Sequence, residues 1–180
     1  QVYPLEFQQE LEKLVDDLFE APTVLVPTTT LGHIAVMPII VEEDDLILFD
    51  QNVHSSVQFM IKHLEIQGVQ NIMIRHNDLN ALESEIVKNL SRYKRLWYMA
   101  DSVYSMYGNV APLSEINSLL QKYKQLHLYI DDAHGMSWAG KNGAGYVLSK
   151  IKLTTKTIIA TSLNKAFAAG GSAFVFKDEK

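Results

Sequence analysis

An apolar strand, LHLYID, ends in two acids and runs straight into AHG, so Asp131, Asp132 and His134 arrive together at one strand terminus. Thirty residues beyond His134 comes Asn164 and then Lys165, a lone lysine between small polar residues and the AAGG of residues 168–171. A lysine amine forms an imine with a carbonyl, and a carboxylate facing a ring nitrogen keeps that nitrogen protonated as an electron sink. A histidine can hydrogen-bond a ring oxygen, a hydroxyl can grip a phosphate, and glycines let backbone approach closely. This is the inventory needed to hold pyridoxal 5'-phosphate.

The elements that must position these residues follow from periodicity. Residues 7–19 place Leu11, Leu14, Val15, Leu18 and Phe19 at helical spacing. TVLVP (23–27) reads as a short buried strand, and the threonine run 28–30 can cap a helix through LGHIAVMPII. DLILFD (45–50), NIMIRH (71–76), RLWYMAD (95–101), LHLYID (126–131) and KTIIAT (156–161) are further strands. Between them, Ser55 or Ser56 caps a helix ended by Gly68, a second helix carries Leu79, Leu82, Ile86 and Leu90, and a third starts at Pro112. SAFVF (172–176) follows KTIIAT too soon for a helical crossover, so that pair is expected to be antiparallel.

Strands alternating with helices predict an α/β chain, a three-layer α/β/α domain on a mostly parallel sheet with its last strand reversed. Ligands of such sheets bind at the carboxyl ends of strands. The reactive residues gather there: His54 after DLILFD, Ser105 after RLWYMAD, Asp131 and His134 after LHLYID, Ser162 and Lys165 after KTIIAT.

Composition narrows the partners. A chain of 180 residues with 47% hydrophobic and 21% charged content has the core of an ordinary globular domain. A formal charge of −5 without a basic block argues against nucleic-acid binding. The absence of cysteine excludes disulfides and thiolate chemistry, and with no secretory pattern a cytoplasmic setting is expected. No apolar run approaches the roughly 20 residues of a membrane span.

Plainer readings compete at each residue. Lysines in loops are usually solvated, Asp131 could merely cap a turn, and His134 and His54 could be structural. A metal on Asp131, Asp132 and His134 lacks any supporting HExxH or second histidine cluster, so no metal site is expected. GKNGAG (140–145) does not match G-x-G-x-x-G, which disfavours a dinucleotide. His33, His63, His76 and His127 read as surface or packing residues, with His33 near the threonine run; Trp97, Tyr98 and Tyr129 read as core.

From about residue 6 to 176 the chain resembles the fold-type I pyridoxal-phosphate enzymes, and most of all the α-oxoamine synthase branch of aminotransferase class I/II. The resemblance is carried by RHNDLNALE (75–83), VYSMYGNVAPLSEI (103–116), IDDAHG (130–135) and SLNKAFAAGG (162–171), in order and with similar spacing. By position it implies that Lys165 is the imine lysine, that Asp131 partners the ring nitrogen and that His134 meets the ring hydroxyl. It further implies that His54 stacks on the ring, that Ser105 contacts the cofactor and that Ser162 binds phosphate. Thr29 and Thr30 fall at the family's Ser-Gly-aromatic phosphate turn, although PTTTLGH lacks the glycine and the aromatic. Tyr107 replaces the branch's usual acid, and Ser102 a usual glycine.

The resemblance implies a transferase joining an amino acid to an acyl donor such as acyl-CoA. An aminotransferase, or a non-catalytic domain of this fold with a structural role, stands as the alternative. It also implies a homodimer, and family members about twice this length, so residues 1–180 are expected to be a truncated large domain without the C-terminal small domain.

Overall fold

A computed structural model describes residues 6–177. Helix α1 (Glu6–Phe19) leads into β1 (Thr23–Val26), α2 (Thr29–Ile40), β2 (Leu46–Asp50), α3 (Ser55–Ile66), β3 (Gln70–Ile74) and α4 (Leu79–Asn89). Then come β4 (Leu96–Asp101), α5 (Leu113–Lys122), β5 (Leu126–Asp131), β6 (Thr157–Ala160), α6 (Leu163–Ala166) and β7 (Ser172–Val175). The strands form one sheet in the order β1-β7-β6-β5-β4-β2-β3. β7 runs antiparallel to both of its neighbours and every other pairing is parallel. The layered fold and the reversed last strand are as expected. Of the expected 1–180 domain, residues 1–5 and 178–180 lie outside the described residues.

Alternation along the central strands decides what faces what. Leu96, Tyr98 and Ala100 of β4 and Leu126, Leu128 and Ile130 of β5 join the core covered by α1, α4 and α5. Trp97, Met99 and Tyr129 point the other way, into the core beneath α2 and α3. Asp101 and Asp131 continue that second series at the strand ends, paired in register with each other. Trp97, Tyr98 and Tyr129 are core, as read from sequence.

Three local expectations are corrected. β1 is a half-exposed edge strand rather than a buried one, with Val24 46% exposed, because only β7 pairs with it. The cap of α3 is His54, whose side chain accepts from the Ser56 N–H; neither Ser55 nor Ser56 holds that place. Pro112 is itself the cap of α5, one residue before the helix begins.

The crossover from β5 to β6 carries only a 3-10 turn (Lys141–Gly143). Its order comes from Asp132, a fully buried carboxylate that accepts from the Ser102 hydroxyl and, at 3.0 Å, from the Val147 N–H. Gly135 and Gly145 lie so close that a Cβ on either would collide with that carboxylate. Burial raises the Asp132 pKa to about 7 against the lowering effect of these bonds.

Candidate active site

Helix α2 begins at the cleft because Thr28 caps it, its hydroxyl accepting from the Leu31 N–H at 3.1 Å. That bond satisfies the Leu31 N–H and leaves the Thr29 and Thr30 N–H groups at the cleft, a site of favourable potential for an anion. Thr29 and Thr30 both line this cleft, whose volume is about 240 Å³. The Thr29 hydroxyl donates to the Thr161 carbonyl at 2.9 Å, so its proton is spent on tying α2 to the end of β6. Thr30, exposed, keeps its hydroxyl free of protein partners among the described residues.

Ser162 faces them from the other side. It holds the cap position of α6 without making a side-chain cap bond, and it is 5% exposed. Its hydroxyl is thus left for whatever enters the cleft.

Asp131 lies at the same cleft. Its Oδ1 accepts from the Ala133 N–H at 2.9 Å, and Oδ2 lies 3.4 Å from Nε2 of His33. Burial pushes this carboxyl up, but His33, the Ala133 N–H and the charge of Lys165 together hold it below the ordinary carboxylate range. Asp101 has the opposite fate: burial and then the neighbouring charge of Asp131 raise its pKa to about 8, although the His54 N–H donates to it at 3.0 Å. The two registered acids are driven apart, one kept ionised and one kept protonated.

Lys165 and Asn164 complete the lining. Nζ of Lys165 lies 2.7 Å from Nε2 of His134. An ammonium only donates, so His134 accepts there through Nε2. Burial, followed by the charge of Lys165, lowers the His134 pKa and keeps the imidazole neutral. His134 is not itself a lining residue and reaches the cleft through Lys165. His54 does line it, with Nδ1 2.7 Å from the Ser56 hydroxyl.

The structure thus brings together Thr29, Thr30, His54, Asp131, Ser162 and Lys165, with His134 one contact behind. Ser105 is not among them; it sits in the exposed turn after β4. Sequence reading passed over Asp101 and His33. Each carried a signal: Asp101 closes β4 as Asp131 closes β5, and His33 lies one helical turn after Thr29 on the stripe that continues to buried Met37. A larger groove of about 590 Å³ opens beside the first turns of α4 and α5; Asp78, Glu115 and Lys150 line it, and it shares no lining residue with this cleft.

One cleft therefore gathers a primary amine, an ionised carboxylate, free hydroxyls and the N–H groups that open α2. That set suits a phosphorylated aromatic aldehyde such as pyridoxal phosphate. The chain belongs to the aminotransferase class I and II family, whose model matches residues 1–179.

Among curated relatives, it is 29% identical over 171 residues to a putative 8-amino-7-oxononanoate synthase of Haemophilus influenzae, covering 94% of this chain and 44% of that protein. To the Aquifex aeolicus protein of the same description it is 32% identical over 164 residues, covering 91% and 42%. The chain therefore spans less than half the length of these relatives. Of solved structures, serine palmitoyltransferase from S. paucimobilis with a bound pyridoxal phosphate–myriocin aldimine matches with a TM-score of 0.80 at 21% identity, covering 98% of this chain and 45% of that one. An 8-amino-7-oxononanoate synthase from Francisella tularensis matches with a TM-score of 0.72 at 19% identity, covering 99% and 50%. These two likenesses establish the fold.

Proposed function

We propose that this protein binds pyridoxal 5'-phosphate through Lys165 and serves an acyl transfer to an amino acid, of the α-oxoamine synthase type. The observation that carries the reading is that the Lys165 amine, the ionised Asp131 carboxylate, the Ser162 hydroxyl and the α2 terminus share one cleft about 240 Å³ in volume. The relatives' names support the acyl-transfer branch: an amino-oxononanoate is an aminoketone, and a serine palmitoyltransferase moves an acyl group to an amino acid.

Pyridoxal phosphate, when bound, supplies an aldehyde that captures amines and a ring that withdraws an electron pair from an amino acid's Cα. The protein's own residues do the rest. Asp131 is the carboxylate that would face the ring nitrogen and keep a proton there. Lys165 Nζ is the amine that would hold the aldehyde, and it is also the base placed to take the Cα proton. His134 Nε2 accepts from Nζ and fixes the amine's approach. Ser162, Thr30 and the first free N–H groups of α2 would hold the phosphate, Thr29 through its backbone rather than its hydroxyl. His54, its imidazole held through Nδ1 by Ser56, would stack on the ring.

Exposed Leu31, Ile34 and Ile39 on α2 supply apolar surface for a homodimer. We place the protein in the cytoplasm; among the described residues no helix is long and apolar enough to cross a membrane.

The reaction is tested by incubating the protein with pyridoxal phosphate, single amino acids and acyl-CoA thioesters. Release of free thiol that requires both substrates is expected. Oxo-acid formation without an acyl donor would instead make the protein an aminotransferase.

A further inference from the structure

Tyr129 and Asp131 are two apart on β5 and project from the same face, about 7 Å along the strand. Helix α2 crosses that face, and His33 enters between them. Its Nδ1 lies 2.6 Å from the Tyr129 hydroxyl, and its Nε2 lies 3.4 Å from Asp131 Oδ2. His33 is completely buried, and Nε2 has no full hydrogen bond to any other group. A polar nitrogen buried in that way is costly unless its proton faces a charge. The imidazole is also wedged by Phe174, whose ring stands edge-on at 5.7 Å, and Gly32 is what lets α2 sit so close to Phe174.

Burial drives the Tyr129 pKa well above its usual value, with the charge of Asp131 adding to it, so the phenol keeps its proton. Donated to Nδ1, that proton leaves the imidazole's own proton on Nε2, aimed at the carboxylate. The geometry points to His33, oriented by Tyr129, as the positioning residue that fixes the Asp131 carboxylate and its charge. Asp131 in turn presents that charge to the cofactor's ring nitrogen, a purpose that rests on the function proposed above. The other ionisable groups facing Asp131 are Asp101 from β4, Asp132 from its own strand end, His134 from the connector and Lys165 from α6. Of these, only Lys165 favours the ionised form, and it is also the residue that must leave to capture the cofactor. His33 keeps the charge in place when Lys165 moves.

The test reads Asp131 directly in the ligand-free protein, by NMR titration of aspartate carboxyl carbons, with the Asp131 signal assigned by its loss in D131N. In His33→Leu the midpoint should rise by about one pH unit or more. In His33→Gln, which keeps an N–H at the reach of Nε2, most of that rise should vanish. Tyr129→Phe, isosteric and less disruptive, should raise the midpoint by a smaller step, and it decides the matter if His33→Leu does not fold. An Asp131 midpoint unmoved in Tyr129→Phe, or equal in the Leu and Gln variants, overturns the inference. Cofactor capture by the parent, read from visible absorbance, is a separate measurement. Its failure would remove the proposed function while the Asp131 titrations still decide the coupling.

Discussion

The amine of Lys165 stands 2.7 Å from Nε2 of His134, so the one lysine in the cleft is aimed by a histidine from a different strand end. The contact joins the connector after β5 to the short helix after β6, and it exists only because those two strands are adjacent and parallel. Removing the acceptor leaves the lysine free to sample other rotamers. His134→Ala should therefore slow capture of pyridoxal phosphate by about tenfold, equivalent to about 1.4 kcal/mol in the barrier. Stopped-flow absorbance measures that rate, and an unchanged value would show that the contact does not orient the amine.

Asp131→Asn keeps the size of the side chain and removes its charge. Exchange of the Cα proton of a bound amino acid into deuterated water should fall by at least about 100-fold, close to 3 kcal/mol, while cofactor affinity changes far less. Exchange as fast as the parent's would end the role of Asp131 as holder of the ring proton.

Ser162 offers the cleft a hydroxyl with no competing cap bond. Ser162→Ala should weaken pyridoxal phosphate binding by about 1.5 to 3 kcal/mol, the range for a hydrogen bond to a charged group. Thr29→Ala should weaken it less, because the Thr29 hydroxyl already donates to the Thr161 carbonyl. Equilibrium titration gives both constants, and equal losses in the two variants would contradict the assignment.

Asp132 gives the fold a pH dependence of its own. Its pKa is raised by burial to about 7, above the unfolded value near 3.9. The folded state therefore holds this proton more tightly than the unfolded one. That contribution is complete below about pH 4 and is lost as pH rises through about 7, an effect on the order of 4 kcal/mol. Thermal melts of Asp132→Asn should be flatter than the parent's from pH 5 to 8 and should gain on it at the alkaline end. Parallel curves would show that Asp132 is ionised throughout.

Much of this was legible in the sequence, and the physical reasons are specific. Alternation in RLWYMAD and LHLYID sets which side chains share a face, so the sheet and the cleft at its carboxyl edge followed from pattern. The shortness of the link between KTIIAT and SAFVF gave the reversed strand. What pattern could not supply was contact between distant elements. His33 reads as one polar residue in an apolar helix, and only the crossing of α2 over β5 places it between Tyr129 and Asp131. The cap of α3 was misread because serine is the commoner cap, yet His54 accepts through its ring nitrogen. Ser105 stands in the exposed turn after β4 and does not line the cleft.

The central claim is that Lys165 is the residue that captures pyridoxal phosphate. Its most direct measurement is the visible absorbance of the protein titrated with the cofactor, followed by borohydride reduction and mass analysis of the peptide bearing the adduct. The parent should develop a band near the visible edge and carry the reduced cofactor on Lys165, and Lys165→Ala should do neither. A band of equal strength in Lys165→Ala, or an adduct on another lysine, would contradict the account.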